Sequence, residues 1–184
     1  MTGAHRPRPL SLTDWDALPE DESAHVELRE GRLIESPRPD RRHSRAVSRL
    51  VRVLDDQLPA GVEGLREFEV LIRDRPLPTV RVPDVVVTRA DGPTRRLRAA
   101  DVLVAIEVVS PGSKRTDTVT ETSEYAESGI PHYWVVDLDD PVSLVAHHFA
   151  GEFGYLAAPA VTRVFSTTDP VPLHVDPDAL PRAR

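Results

Sequence analysis

Two carboxylates stand where strand physics would not place them. Glu107 interrupts Val102-Leu103-Val104-Ala105-Ile106-Glu107-Val108-Val109, a run so uniformly apolar that the strand is expected to be covered on both faces. Asp84 follows Val82-Pro83 and precedes Val85-Val86-Val87, at the start of a second strand of the same character. An ionised carboxylate in such surroundings is costly unless it is paired or bound to a cation. Two resolutions are open. In one, each acid bonds to a neighbouring arginine, which is abundant here because all but one of the 23 basic residues are arginine. In the other, the two acids face one cavity and share Mg²⁺ or Mn²⁺, hard ions that take carboxylate oxygens, water and a substrate phosphate. That second arrangement suits a phosphodiester hydrolase.

The elements that would position these acids can be read from periodicity. Residues 1–10 lack a pattern and are expected to form a loose arm. Ser11 to Leu18 suggests a short helix with Thr13 as its N-cap. His25 to Ile34 reads as a hairpin turning at Glu30-Gly31. From Asp40 to Leu58 the residues Val47, Leu50, Val51, Leu54 and Leu58 form one apolar helical stripe, stopped by Pro59 and Gly61. Strands are expected over Leu65–Ile72, Thr79–Thr88 and Val102–Val109, then a helix from about Asp117 to Ser128. Further strands follow at His132–Asp137 and Val142–Phe149, with shorter ones to Phe165. The order implies an α/β domain over residues 11–175, a mixed central sheet flanked by helices with additional hairpins, and an extended peripheral tail over 176–184.

Composition narrows the chemistry. There is no cysteine, so any metal must be held by oxygen or histidine. A net charge of −7 opposes nonspecific coating of nucleic acid. Two basic stretches, Arg38 to Arg45 and Arg95 to Arg98, read first as solvated faces. No apolar run approaches the length of a membrane span, and no apolar segment follows the first charged residues, so no membrane association is expected and the cytoplasm is the expected location.

Beyond this physical reading, Ile106-Glu107-Val108-Val109-Ser110-Pro111-Gly112-Ser113, Asp117, and Tyr125 through Gly129 to Tyr133-Trp134-Val135-Val136-Asp137 carry a resemblance. Upstream, Val26-Glu27-Leu28-Arg29-Glu30-Gly31-Arg32-Leu33, Ser36-Pro37, His43 and Val82-Pro83-Asp84-Val85 continue it. The ordered set resembles the Uma-type restriction endonuclease family of the PD-(D/E)XK nuclease superfamily, over roughly residues 10–175. The resemblance implies a restriction-endonuclease-like fold, a DNA substrate, a Mg²⁺ or Mn²⁺ cofactor and the possibility of a homodimer. It implies that Asp84 and Glu107 are catalytic metal ligands and that Glu27, a third acid near them, is a metal ligand as well. His43, Asp117 and Tyr125 match positions near the substrate.

One departure stands out. In typical relatives the catalytic lysine lies on the helix after the second acid, at the position held here by Glu121. Three readings of Glu121 are open. Thr118-Val119-Thr120-Glu121 fits a capping box; Glu121 could join the metal site, since Asp117, Glu121 and Tyr125 share a helix face; or Lys114, the only lysine, substitutes from the preceding loop. Ser110 reads as a turn residue rather than a nucleophile. His147 and His148, adjacent on a strand, point to opposite faces and are not expected to share a metal. Two functions therefore compete: a metal-dependent DNA endonuclease, or a nuclease-fold protein with impaired catalysis that binds nucleic acid or protein.

Overall fold

The computed structural model describes residues 8–19, 25–109 and 115–182, with the side chains of 115–118 excepted. Lys114 and Ser110, and most of the expected N-terminal arm, lie outside these residues. The elements are α1 (Leu12–Asp16), β1 (His25–Arg29), β2 (Arg32–Ser36), α2 (Arg41–Asp55), β3 (Val62–Arg66), β4 (Val70–Arg73), β5 (Thr79–Arg81), β6 (Val85–Arg89), β7 (Leu97–Arg98), β8 (Val102–Val109), α3 (Arg115–Glu127), β9 (His132–Asp137), β10 (Ser143–Phe149), β11 (Tyr155–Ala157), β12 (Phe165–Thr167) and β13 (Leu173–Val175).

A six-stranded mixed sheet runs in the order β11-β10-β9-β8-β6-β3, with β8 and β9 parallel and the other pairs antiparallel. The parallel pair requires a crossover, and α3 lies within it. The α2 stripe of Ala46, Val47, Leu50 and Leu54 packs on one face against Val85, Val87, Val104, Ile106, Val108 and Trp134. On the opposite face Val86, Ala105 and Tyr133 pack with Tyr125 of α3 and Ile130. This explains the unbroken apolar runs of β6, β8 and β9: alternate residues feed two cores. It also confirms the expected sheet flanked by helices.

A second sheet, β2-β1-β5-β4-β7, stands beside the first. Two expected strands prove to be pairs. Residues 65–72 divide into β3 and β4, and residues 79–88 into β5 and β6, because each stretch leaves one sheet and enters the other. Pro83, without an N–H, marks the second break. At the first, Glu67 adopts φ 47°, a left-handed conformation unusual for a residue with a side chain. Its N–H donates to the Asp84 carbonyl at 3.2 Å, so the two breaks are fastened together.

Smaller elements follow local rules. The α1 N-cap is Ser11 rather than Thr13, because Ser11 and Asp14 form a reciprocal capping box. The β1–β2 hairpin turns at Glu30 and Gly31, both at positive φ, as a two-residue turn of this twist demands. The tail expected to be extended and peripheral is docked instead. A 3₁₀ turn at Pro177–Ala179 places Leu180 in the core at 2% exposure, and Arg45 and Arg49 of α2 donate to the carbonyls of Pro181 and Ala179. No helix among the described residues is long and apolar enough to cross a membrane.

Candidate active site

The breaks between the sheets gather the predicted acids at one end of the six-stranded sheet. In the β6–β8 ladder Val85 faces Ile106, so the next step of the same register sets Asp84 opposite Glu107. The Val108 N–H donates to Asp84 Oδ2 at 2.7 Å, and His43 Nε2 lies 3.1 Å from the same oxygen. His43 reaches this point because Asp40 caps α2, accepting the His43 N–H at 2.8 Å. The hydroxyl of Tyr125 on α3 donates to Glu107 Oε1 at 3.0 Å.

Neither Asp84 nor Glu107 bonds to an arginine among the described residues, so the first resolution open to the sequence is not the one adopted there. The buried arginine serves other acids. Arg81, 3% exposed at the end of β5, donates through Nη1 to Glu27 Oε2 at 2.5 Å and through Nε to Glu124 Oε2 at 2.7 Å. Its Nη1 is 3.8 Å from Glu121 Oε1. The other Glu27 oxygen accepts the Val82 N–H at 2.8 Å. Glu27, expected as a metal ligand, thus has both oxygens engaged in holding Arg81 and the chain just before Asp84.

Electrostatics separate the acids. Burial pushes the Glu107 carboxyl well above the usual carboxylate range, and the negative charges of Glu121, Asp84 and Glu27 push it the same way. Burial also works against the charged form of Glu27, but His25, Arg81 and the Val82 N–H outweigh it and hold Glu27 below its ordinary value. Burial opposes the His43 imidazolium, yet the hydrogen bond and charge of Asp84 raise its pKa. Tyr125 is kept neutral by burial and by the neighbouring Glu107 charge. The cluster is therefore short of positive charge at Glu107 and well supplied at Glu27.

A cavity of about 170 Å³ opens over the acids, lined by residues that include Glu27, His43, Asp84, Glu107 and Glu121. Glu121 sits in the body of α3, and Thr118 lies inside a helix that begins at Arg115, so the capping-box reading does not hold. The helix face turned to the site presents Glu121, Glu124 and Tyr125. Asp117 belongs to α3, but its side chain is not described. Sequence reasoning missed Arg81, which no pattern separates from the other arginines, and Glu67, which lines the same cavity. No ready-made cage of three metal-binding side chains occurs among the described residues. Mg²⁺ does not require one, because it is commonly held by one or two carboxylates together with water and substrate phosphate.

Comparison with known proteins follows the geometry. Residues 12–162 match the model of the Uma2 family, described as "Putative restriction endonuclease". No curated protein matches the chain. A solved structure described as a "putative nuclease belonging to DUF820", from Anabaena variabilis, superposes with a TM-score of 0.71 at 22% identity, covering 95% of this chain and 100% of that one. Likeness at that identity speaks for the fold.

Proposed function

The chain belongs to the Uma2 family, and on that premise we propose that it is a metal-dependent endonuclease that hydrolyses DNA phosphodiester bonds. The observation that carries this reading is the cross-strand placement of Asp84 and Glu107, two hard oxygen donors under one cavity. The donor set fits Mg²⁺ or Mn²⁺: Glu107 is disfavoured as an anion by burial and by its acidic neighbours, a condition that a cation would relieve. Asp84 and Glu107 would hold the ion, with Glu27 an outer acid acting through Arg81. Such an ion lowers the pKa of water and offsets charge on the phosphate.

The protein's own groups do the positioning. Tyr125 fixes one oxygen of Glu107, and the Val108 N–H and His43 fix one oxygen of Asp84. Arg81 holds Glu27 and Glu124 in ion pairs, its one positive charge shared between the two. Glu121 replaces the lysine of typical relatives, and we assign it the orientation of the attacking water. His43, Asp117 and Tyr125 remain candidates for contact with the substrate, and Lys114 for the place of the missing lysine. Supercoiled plasmid in Mn²⁺ tests the reading: the parent should nick it, while EDTA or Asp84→Ala should abolish nicking.

A second reading, a catalytically impaired protein that binds nucleic acid or a protein partner, draws on one observation. Arg81, the buried cation beside the acids, is committed to glutamates. On that reading Glu121→Lys should create cleavage absent from the parent. Equal cleavage by both would remove it.

A further inference from the structure

One face of α2 packs on the six-stranded sheet through Ala46, Val47, Leu50 and Leu54. The other carries Arg41, Arg42, Arg45, Arg49 and Arg52, with no acidic residue between Asp40 and Asp55. Helical spacing sets Arg41, Arg45 and Arg52 nearly in line, about 16 Å from first to last, with Arg42 and Arg49 beside them. Arg41 and Arg52 are exposed. The neighbouring β3 adds the exposed Arg66, whose Nη1 donates to Ser48 Oγ of α2 at 3.0 Å.

None of these arginines forms an ion pair among the described residues. Arg45 and Arg49 donate to the carbonyls of Pro181 and Ala179, neutral acceptors that leave their charge in place. The acids flanking the face are fewer: Asp40, Asp55 and Asp56 at the helix ends and Glu63 on β3, while Asp178 of the docked tail is paired with Arg182. Helix stability does not account for the pattern either. Arg41 and Arg42 occupy the first turn, where the helix dipole favours acids, and that turn has none beyond the Asp40 cap. In a chain of net charge −7, such a stretch makes a local field of opposite sign, which orients an anionic partner to this face. The face also adjoins the candidate active site, because Ser36, Pro37 and Pro39, which lead into α2, and His43 of its first turn line the cavity over Asp84 and Glu107.

Resting on the nuclease reading, we propose that the outward face of α2, extended by Arg66, is the surface that holds the sugar–phosphate backbone of duplex DNA beside the cavity of Asp84 and Glu107. Arginine recognises phosphate through its charge and its forked N–H donors. A row about 16 Å long can meet several phosphates of a duplex, which carries one charge per about 1.7 Å of axis. An unpaired strand is recognised differently, by bases stacking on aromatic faces, and α2 contains no Phe, Tyr or Trp. Contacts to phosphate position a duplex and carry no base sequence. Binding by this face is therefore independent of sequence.

The test is the fluorescence anisotropy of short labelled duplexes of two unrelated sequences, titrated with the parent protein in EDTA at several salt concentrations. Both should bind alike, and more tightly than either single strand. Log affinity should fall with log salt at a slope of about −2.7 or steeper, at least three phosphates at about 0.9 each. Arg41→Ala and Arg52→Ala should each reduce the slope by about 0.9, and the double variant should lose affinity about ten-fold or more at low salt. Both arginines are exposed, so circular dichroism and urea unfolding should match the parent. Arg89→Ala removes the same charge from an arginine paired with Asp91 elsewhere, and should leave the slope alone. A slope unchanged in the double variant, an equal loss in Arg89→Ala, or tighter binding of the single strand would overturn the proposal. So would arginine-dependent binding to phosphatidylserine vesicles without binding to duplex. The same duplexes in Mn²⁺ separate the two claims. Cleavage by the double variant at unchanged KM would remove this face and keep the nuclease, whereas arginine-dependent binding without cleavage would keep the face and remove the nuclease.

Discussion

At the scale of single residues, the site pairs one acid that lacks a positive partner, Glu107, with another, Glu27, that has one in Arg81. Arg81 is the pivot of the supplied half, because it is 3% exposed and holds Glu27 and Glu124 in ion pairs. Removing one partner of a buried pair leaves an uncompensated charge. Arg81→Met should therefore lower unfolding free energy in urea by about 3–5 kcal/mol, and adding Glu27→Gln should recover part of the loss. The other half predicts a pH dependence. Glu107 has a raised pKa in the folded state, so above the ordinary carboxylate range the folded chain holds a proton that the unfolded chain has released. Stability then falls as pH rises towards the Glu107 value. His43 acts in the same sense: its raised pKa contributes stability below the ordinary histidine value that is lost as pH rises through the folded value. In EDTA the melting temperature should be higher near about pH 5.5 than near about pH 8, and Glu107→Gln should flatten the slope. A melting temperature rising over that interval in both proteins would contradict the assignment.

At the scale of elements, the legible parts are those whose residues all answer to one neighbour. The α2 stripe, β8 and β9 could be read from the chain because their apolar periods coincide with continuous packing. The joined strands at 65–72 and 79–88 were misread for the converse reason. Apolar residues continue across Glu67 and across Val82-Pro83-Asp84, and hydrophobic period does not reveal that the chain has changed sheets. Those breaks build the site, so its two acids were visible as anomalies while the junction that unites them was not. Arg81 was hidden likewise, since its partners come from β1 and α3. The element presenting His43 gives a direct prediction. Asp40 caps α2 through the His43 N–H, and Asp40→Ala should cost about 1 kcal/mol in thermal or urea unfolding. Nicking should fall by more than that loss of stability explains, because the cap also sets the His43 backbone. Nicking unchanged in a folded Asp40→Ala protein would detach α2 from the chemistry.

At the scale of the whole molecule, two sheets and two helices converge on a junction lined by acids, and the Uma2 membership gives that junction a nuclease context. The resemblance carries a homodimer as a further expectation, which sedimentation at several protein concentrations would decide. On the proposed reading, a cation shared by Asp84 and Glu107 would relieve the charge deficit at Glu107. Crystals soaked in Mn²⁺ and measured for anomalous scattering test this most directly. The account predicts a peak within coordination distance of carboxylate oxygens of both Asp84 and Glu107, absent in Asp84→Ala. Ordered crystals at millimolar Mn²⁺ with no peak there, or a peak held by other residues and unaffected by Asp84→Ala, would contradict it.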